Sequence, residues 1–226
     1  MEDKIAKHAP KEQRIEIMDT ELVESRRKAI LDAAMALFDR QGYASTTIDE
    51  VAAAAGISKG SIYNYFESKQ DLFTQLFNQA ILQDEADVDA LLAGPMSAGR
   101  KLCAILDYWH HGLAVDLKIG RLTLEFWATA ARDTRSGALA ENLHAAYGRW
   151  IGRIGRIIQE GLDKGEVDRT VIPDDHATLF LGLIHGLVLH AILGIGTRVD
   201  ERFLASMKQS VLGGLGIRPM PDAVQE

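Results

Sequence analysis

Residues 46–66, TTIDEVAAAAGISKGSIYNYF, constrain this chain more than any other stretch. Ile48, Val51, Ala52 and Ala55 recur at helical spacing and give a first short helix one apolar side. Thr47 with Glu50 three residues on has the pattern of a capping box at its start. Gly56 tolerates positive φ and ends that helix. Ser58 can cap a second helix that carries Lys59, Ser61, Tyr63, Asn64 and Tyr65 on a polar and aromatic face. Ile62 and Phe66, four apart, hold the other side to a core. Two short helices with a sharp turn between them make a helix-turn-helix, whose second helix can enter a DNA major groove.

The segments around this motif extend the pattern. RRKAILDAAMALFDRQGYASTT leads into it, SKGSIYNYF is its second helix and SKQDLF opens the next. Over about residues 24–84 the chain resembles the DNA-binding domain of the TetR/AcrR family of bacterial transcriptional regulators. That resemblance implies roles. Thr46 and Thr47 would bond phosphates from the start of the first short helix. Lys59 and Lys69 would set ammonium groups near phosphates, beside the N–H groups of helix starts. Ser58 would cap the recognition helix, and Gly60 would let its backbone approach DNA closely. Ser61, Tyr63 and Asn64 are the candidates for base edges, since Asn can pair bidentately with adenine. Tyr65 would reach a phosphate or pack its ring. Asn64 stands where many relatives carry His, which bears on base preference.

A net charge of −7 is unusual for a DNA binder, but it is unevenly spread. Residues 24–70 hold six Lys/Arg and six Asp/Glu, so the surplus acid lies outside the motif. An acidic body behind a neutral head orients the molecule on DNA and limits general sticking. Cys103 is the one cysteine, which excludes an intramolecular disulfide and CxxC redox or metal motifs and fits a reducing cytoplasm. Residues 1–21 are dense in charge and lack the apolar run of a signal peptide. They read as a polar extension, solvated or helical after Pro10; the alternative is an arm whose Lys4, Lys7, Lys11 and Arg14 touch phosphates.

The 226 residues suit a small DNA-binding domain plus one larger domain. Periodicity predicts helix 1 over about 22–41, with Ile30, Ala33, Ala34, Leu37 and Phe38 inward, and helix 4 from Ser68. Helix 4 buries Phe73, Leu76, Phe77, Ala80 and Ile81 and continues into QDEADVDALL, as a lever between the two domains. After Gly94 and Pro95, helices are predicted over about 97–115 (including Leu113), 118–132 and 136–164. EFWATAARD, residues 125–133, is similar to the ligand-binding domain of the BetI-like subgroup. After Pro173, residues 177–196 run for 20 positions without Lys, Arg, Asp or Glu. Such a run could span a membrane. His185, His190, acidic flanks and the lack of a basic cluster favour instead a helix buried in its own domain and in a partner subunit. Helix 9 covers about 200–212. Helices 8 and 9 of two subunits would form a four-helix bundle, with Gly182, Gly186, Leu189, Phe203, Met207 and Val211 at the contact.

For a ligand site, Trp109, Trp127 and Trp150 fall on three successive helices that must pack side by side. They are expected to converge on an interior site, with His110, Glu125 and Tyr147 as polar partners. Glu125 beside Phe126 and Trp127, with Tyr108 and Trp109 near, would suit a cationic guest. The alternative is core packing, with Glu125 paired to Arg121. Histidines at 110 and 111, or at 185 and 190, lack the spacing that puts two ligands on one helix face, so no metal and no cofactor are expected. No nucleophile elbow, phosphate loop or acid pair suggests an enzyme.

The expected protein is therefore all-α, with about nine helices. A polar extension (1–21) precedes a helix-turn-helix domain (22–84, motif 46–65), an effector-binding and dimerisation domain (85–217) and a tail (218–226). It should be a cytoplasmic DNA-binding regulator that acts as a repressor released by a small molecule. Its expected partners are double-stranded operator DNA, a second copy of itself and that effector, with no membrane. The alternatives are a membrane-anchored regulator using 177–196, or a helical enzyme with a vestigial DNA-binding head.

Overall fold

A computed structural model describes residues 11–115, 117–132, 137–195 and 200–217, with the backbone alone described at 11–20 and 113–115. Lys4, Lys7, the side chains of Lys11, Arg14 and Leu113, and the tail from residue 218 lie outside the described residues. The described residues form nine helices and no strand. They fall into two compact units that divide between Leu76 and Phe77.

In the first unit, α1 (Lys11–Gln41) begins one residue after Pro10. Its first turns, KEQRIEIM, consist mostly of good helix formers. Ile30, Ala34, Leu37 and Phe38 face the core, and Gly42 N–H closes the helix on Phe38 O at 2.9 Å. α2 (Ile48–Ala54) and α3 (Lys59–Ile62) follow, and α4 (Lys69–Leu91) opens with the SKQD signature. Gly56, between α2 and α3, has φ +69°, so a side chain there would be strained even though there is room for one. Ile62, Phe66, Leu72 and Phe73 are almost fully buried beneath the motif. Tyr43 stacks on Phe73 at 4.2 Å and Phe38 meets Phe73 edge-on at 5.4 Å. α3 is shorter than the periodicity suggested. Tyr63, Asn64 and Tyr65 continue it as a tightened turn, with Asn64 N–H bonded to Ser61 O and Tyr65 N–H to Ile62 O. Aromatic and Asn residues are weak helix formers, while Ile62 and Phe66 pin this turn from below.

α4 is continuous through the division between the units. Beyond residue 77 the second unit adds α5 (Ala98–Val115), α6 (Lys118–Ala130), α7 (Ala138–Asp163), α8 (Pro173–Leu193) and α9 (Glu201–Gly214). Their core contains Leu102, Ile105 and Leu106 from α5, Ile154 and Ile158 from α7, Phe180 and Ile184 from α8, and Leu204 and Met207 from α9. Phe77 of α4 stacks on Phe126 of α6 at 3.9 Å. Gly161 lets α7 come close to its neighbours, since a Cβ there would lie 2.6 Å from Val167 and 2.7 Å from Ala98.

α8 is long and apolar enough to cross a membrane by length and composition, but it is two-faced here. Ala177, Phe180, Leu181, Ile184 and Leu187 are buried in the unit. Leu179 is 68% exposed and Leu193 57%, and Leu183 shares that outer side. Gly182 and Gly186 lie on it too, with nothing within 4 Å of an added Cβ.

Candidate nucleic-acid interface and ligand cavity

The helix-turn-helix carries its caps as ordered hydrogen bonds. Thr47 N–H donates to Glu50 Oε2 at 2.7 Å, and Glu50 N–H donates to Thr47 Oγ1 at 3.3 Å. The Thr47 N–H, together with the Thr47 hydroxyl donating to Glu50 Oε2 at 2.9 Å, holds the Glu50 carboxyl below its ordinary pKa. Ser58 Oγ accepts Ser61 N–H at 3.2 Å and lies 2.8 Å from Ser61 Oγ, so both hydroxyls help build the start of α3.

Lys59, Gly60, Tyr63 and Asn64 form the exposed side of this element, and Ser61 and Tyr65 are half-buried. Lys59 Nζ bonds Asp49 at 3.0 Å, which raises its pKa and ties α3 to the start of α2. The Cβ of a residue at position 60 would approach nothing nearer than Ser58 Oγ at 3.9 Å, so the protein itself does not demand glycine there.

Two expected phosphate contacts are placed otherwise. Thr46 is 1% exposed and its hydroxyl donates to Gly42 O at 2.8 Å. It closes the α1–α2 corner, and Thr47 next to it is the exposed threonine. Lys69 Nζ donates to Thr46 O at 2.6 Å and to Ala44 O at 3.2 Å, and sits 4.4 Å from the Tyr43 ring centroid. An ammonium with two carbonyls and an aromatic face around it holds a loop in shape.

A cavity of about 310 Å³ opens in the second unit. α4 contributes Phe77, Ile81 and Asp84, α5 contributes Tyr108, Trp109, His111 and Gly112, and α6 contributes Ile119, Gly120 and Thr123. α7 adds Ala146, Tyr147 and Trp150, and α8 adds Leu181, Ile184, His185 and Val188. Of the expected ligand residues, Trp109, Tyr147 and Trp150 come together here, with the Trp109 and Trp150 rings 5.0 Å apart. Trp127 packs behind the wall, edge-on to His185 at 4.7 Å and 6.4 Å from Tyr147. Its buried Nε1–H has no hydrogen-bond partner among the described residues. Glu125 and His110 are half-buried outside the lining, because the one-residue rotation of a helix puts His111, not His110, on the cavity side.

The polar atoms that do reach the cavity were not all foreseen. Tyr108 Oη donates toward Asp84 Oδ1 at 2.9 Å and Asp87 Oδ2 at 3.1 Å. Burial pushes the Asp84 carboxyl up, and burial beside Asp84 pushes the Tyr108 phenol up. Tyr147 Oη lies 3.0 Å from His185 Nε2, and burial lowers His185 to about 4, so its imidazole is neutral at pH 7. Tyr147 in turn is raised by burial. Asp84 sits in the acidic run QDEAD, whose charge hid the carboxylate that lines the cavity. Among the described residues no cluster of three His, Cys, Asp or Glu could hold a metal ion.

Of the expected subunit contacts, Gly182 and Gly186 are on the open face of α8 and Leu189 is half-buried. Met207 is 5% exposed and turned into its own core, and Phe203 packs against that core as well. Apolar periodicity located the inward side of α9, and its outward side carries Ser206, Gln209, Ser210 and Gly213. Val211 lines a groove of about 240 Å³ with Leu179, Leu183 and Gly214.

Comparison with known proteins bears on both units. Residues 30–76 match the bacterial regulatory proteins of the tetR family, and residues 98–215 match the C-terminal domain of BetI-type transcriptional repressors. The chain belongs to the TetR family of bacterial regulatory proteins. It is a helix-turn-helix transcriptional regulator of that family. The regulator is 26% identical over 183 residues, 80% of this chain and 87% of that protein, to the HTH-type transcriptional regulator YfiR of Bacillus subtilis. It is similar to the structure of a TetR transcriptional regulator from Chloroflexus aurantiacus, with 26% identity, TM-score 0.71, and 85% and 96% of the two chains covered. A transcriptional regulator from Saccharomonospora viridis, solved in complex with choline, shares the fold, with 22% identity, TM-score 0.72, and 84% and 96% covered.

Proposed function

We propose that this TetR-family regulator is a cytoplasmic homodimer that represses transcription at a near-palindromic operator and leaves it when a small molecule fills the cavity. The observation that carries the reading is the course of α4. One unbroken helix starts at Lys69 beside the helix-turn-helix and lines the cavity through Phe77, Ile81 and Asp84. A guest that favours one setting of α4 over another shifts the population of DNA-competent molecules. A relative of the same fold solved in complex with choline supports a small molecule as the effector.

On DNA, Tyr63 and Asn64 read base edges, and Thr47 and Lys59 meet phosphates, with Gly60 and the caps of Ser58 and Ser61 setting the backbone approach. Tyr65 supports them from its half-buried position. The outer face of α8, with Gly182 and Gly186 at its centre, packs on a second copy together with the outer face of α9. Two heads related by a two-fold axis then require half-sites about one helical turn, ~34–36 Å, apart.

The test selects DNA from a random pool with the purified full-length protein and titrates the complex with a compound panel under tryptophan fluorescence. Recovery of an inverted repeat, and a compound that releases it while perturbing emission from Trp109 or Trp150, is the expected result. Recovery of no enriched sequence overturns the reading.

A further inference from the structure

The cavity is chemically lopsided. Most of its wall is apolar, yet it contains the carboxylate of Asp84, and among the described residues no Lys or Arg lines it. Asp87 and Glu85, both acidic, act on Asp84, and among the described residues its hydrogen-bond donor is Tyr108. That phenol faces two carboxylates, Asp84 at 2.9 Å and Asp87 at 3.1 Å, and has one proton to give. The neighbouring guanidiniums are committed elsewhere. Arg149 bonds Glu85 at 2.8 Å, while Arg153 bonds Asp89 at 2.6 Å and lies over the Trp150 ring. His185, neutral at pH 7, brings no positive charge. A carboxylate in an apolar enclosure is costly unless a positive partner meets it. The raised Asp84 carboxyl is consistent with that missing partner. The rings of Tyr108, Trp109 and Tyr147 on the same wall offer π faces of the kind that hold cations.

We propose that the effector is a monocation with an apolar body, an amine or a quaternary ammonium, and that Asp84 is its counter-ion. The proposal rests on the cavity being the effector site. An organic anion or a phosphorylated ligand is disfavoured there, because it would meet Asp84 with no Lys or Arg among the described wall residues to offset it. Asp84 is also carried by α4, so the ion pair acts directly on the helix that continues from the DNA-binding motif. Glu125, the carboxylate singled out from the sequence, lies outside the lining and takes no part.

Calorimetric titration of the full-length protein with four probes of one shape tests this. They are benzyltrimethylammonium, protonated N,N-dimethylbenzylamine, neutral neopentylbenzene and the anion phenylmethanesulfonate. The two cations should bind more tightly than neopentylbenzene, and the sulfonate should not bind. Asp84→Asn should weaken the cations by about tenfold or more, as expected for loss of a charge-assisted contact, and leave neopentylbenzene unchanged. The neutral probe thus reports that the variant is folded. Glu125→Gln should change none of the affinities. A larger loss for the amine assigns an N–H bond to Asp84, and equal losses assign charge alone. If neopentylbenzene binds wild type as tightly as its charged isostere, or if Asp84→Asn leaves the cations unaffected, the cation assignment is overturned while the cavity stands as a ligand site. If no probe binds at millimolar concentration, both fall.

Discussion

Arg149 Nε donates to Glu85 Oε1 at 2.8 Å and joins α7 to the stretch of α4 that also carries Asp84. Adjacent residues thus turn to different tasks, Asp84 to the cavity and Glu85 to the arginines. Arg153 reinforces the joint through Asp89 at 2.6 Å and stands 4.0 Å from Glu85. The Glu85 side chain is 11% exposed, so these arginines replace the water it loses on burial. Arg149→Ala leaves Arg153 in reach and should cost about 1 kcal/mol. Replacing both arginines strands a buried carboxylate and should cost about 3 kcal/mol, more than the two single changes together. Urea unfolding of the three variants measures this; strictly additive losses would show that Glu85 does not share its partners.

The head residues should separate into three behaviours. Lys59→Ala should weaken binding to every DNA sequence and reduce the salt slope by roughly one unit. Asn64→Ala or Tyr63→Ala should relax base choice at one operator position, at about 1–3 kcal/mol of discrimination. Lys69→Ala should lower the melting temperature as well as affinity, because it releases the carbonyls of Ala44 and Thr46. Parallel melting curves and binding isotherms at several salt concentrations distinguish the three. A Lys69 variant that melts like wild type would return that residue to the phosphates.

Gly186→Leu isolates the subunit contact. Nothing lies within 4 Å of an added Cβ there, so the protomer should fold and melt nearly normally. If two copies of α8 pack closely at this glycine, the new side chain wedges them apart. Light scattering should report a dimer for the wild type and a monomer for the variant at micromolar concentration. A dimer that tolerates leucine places the contact elsewhere.

His185 makes stability fall on mild acidification. Its folded pKa, about 4, lies below the unfolded value near 6.5, so the unfolded chain binds the proton first. The contribution is complete above pH 6.5 and is lost as pH falls toward 4. Between pH 7 and about pH 5 the expected loss is roughly 1–2 kcal/mol. His185→Leu should flatten that segment of the stability profile. An unchanged slope in the variant would mean that His185 is solvated.

The fold and the motif were legible because they depend on local signals. Caps at Thr47 and Ser58, positive φ at Gly56, and stripes such as Ile154 with Ile158 follow from spacings of three and four residues, which the chain states directly. Tertiary structure decided which polar group meets which space. Thr46 and Thr47 are neighbours of one type, but the α1–α2 corner buries the first and exposes the second. His110 and His111 differ by one helical step, and only packing of α5 determines which one reaches the cavity. The same holds for α9, where an apolar stripe marks a buried side without saying whose core it enters; Met207 enters its own. Asp84 is the sharpest instance. In sequence it is one acid of a solvated-looking run, and its inward turn depends on Tyr108, which lies 24 residues away. Burial and partner are properties of the packed helices, and no periodicity in the chain carries them.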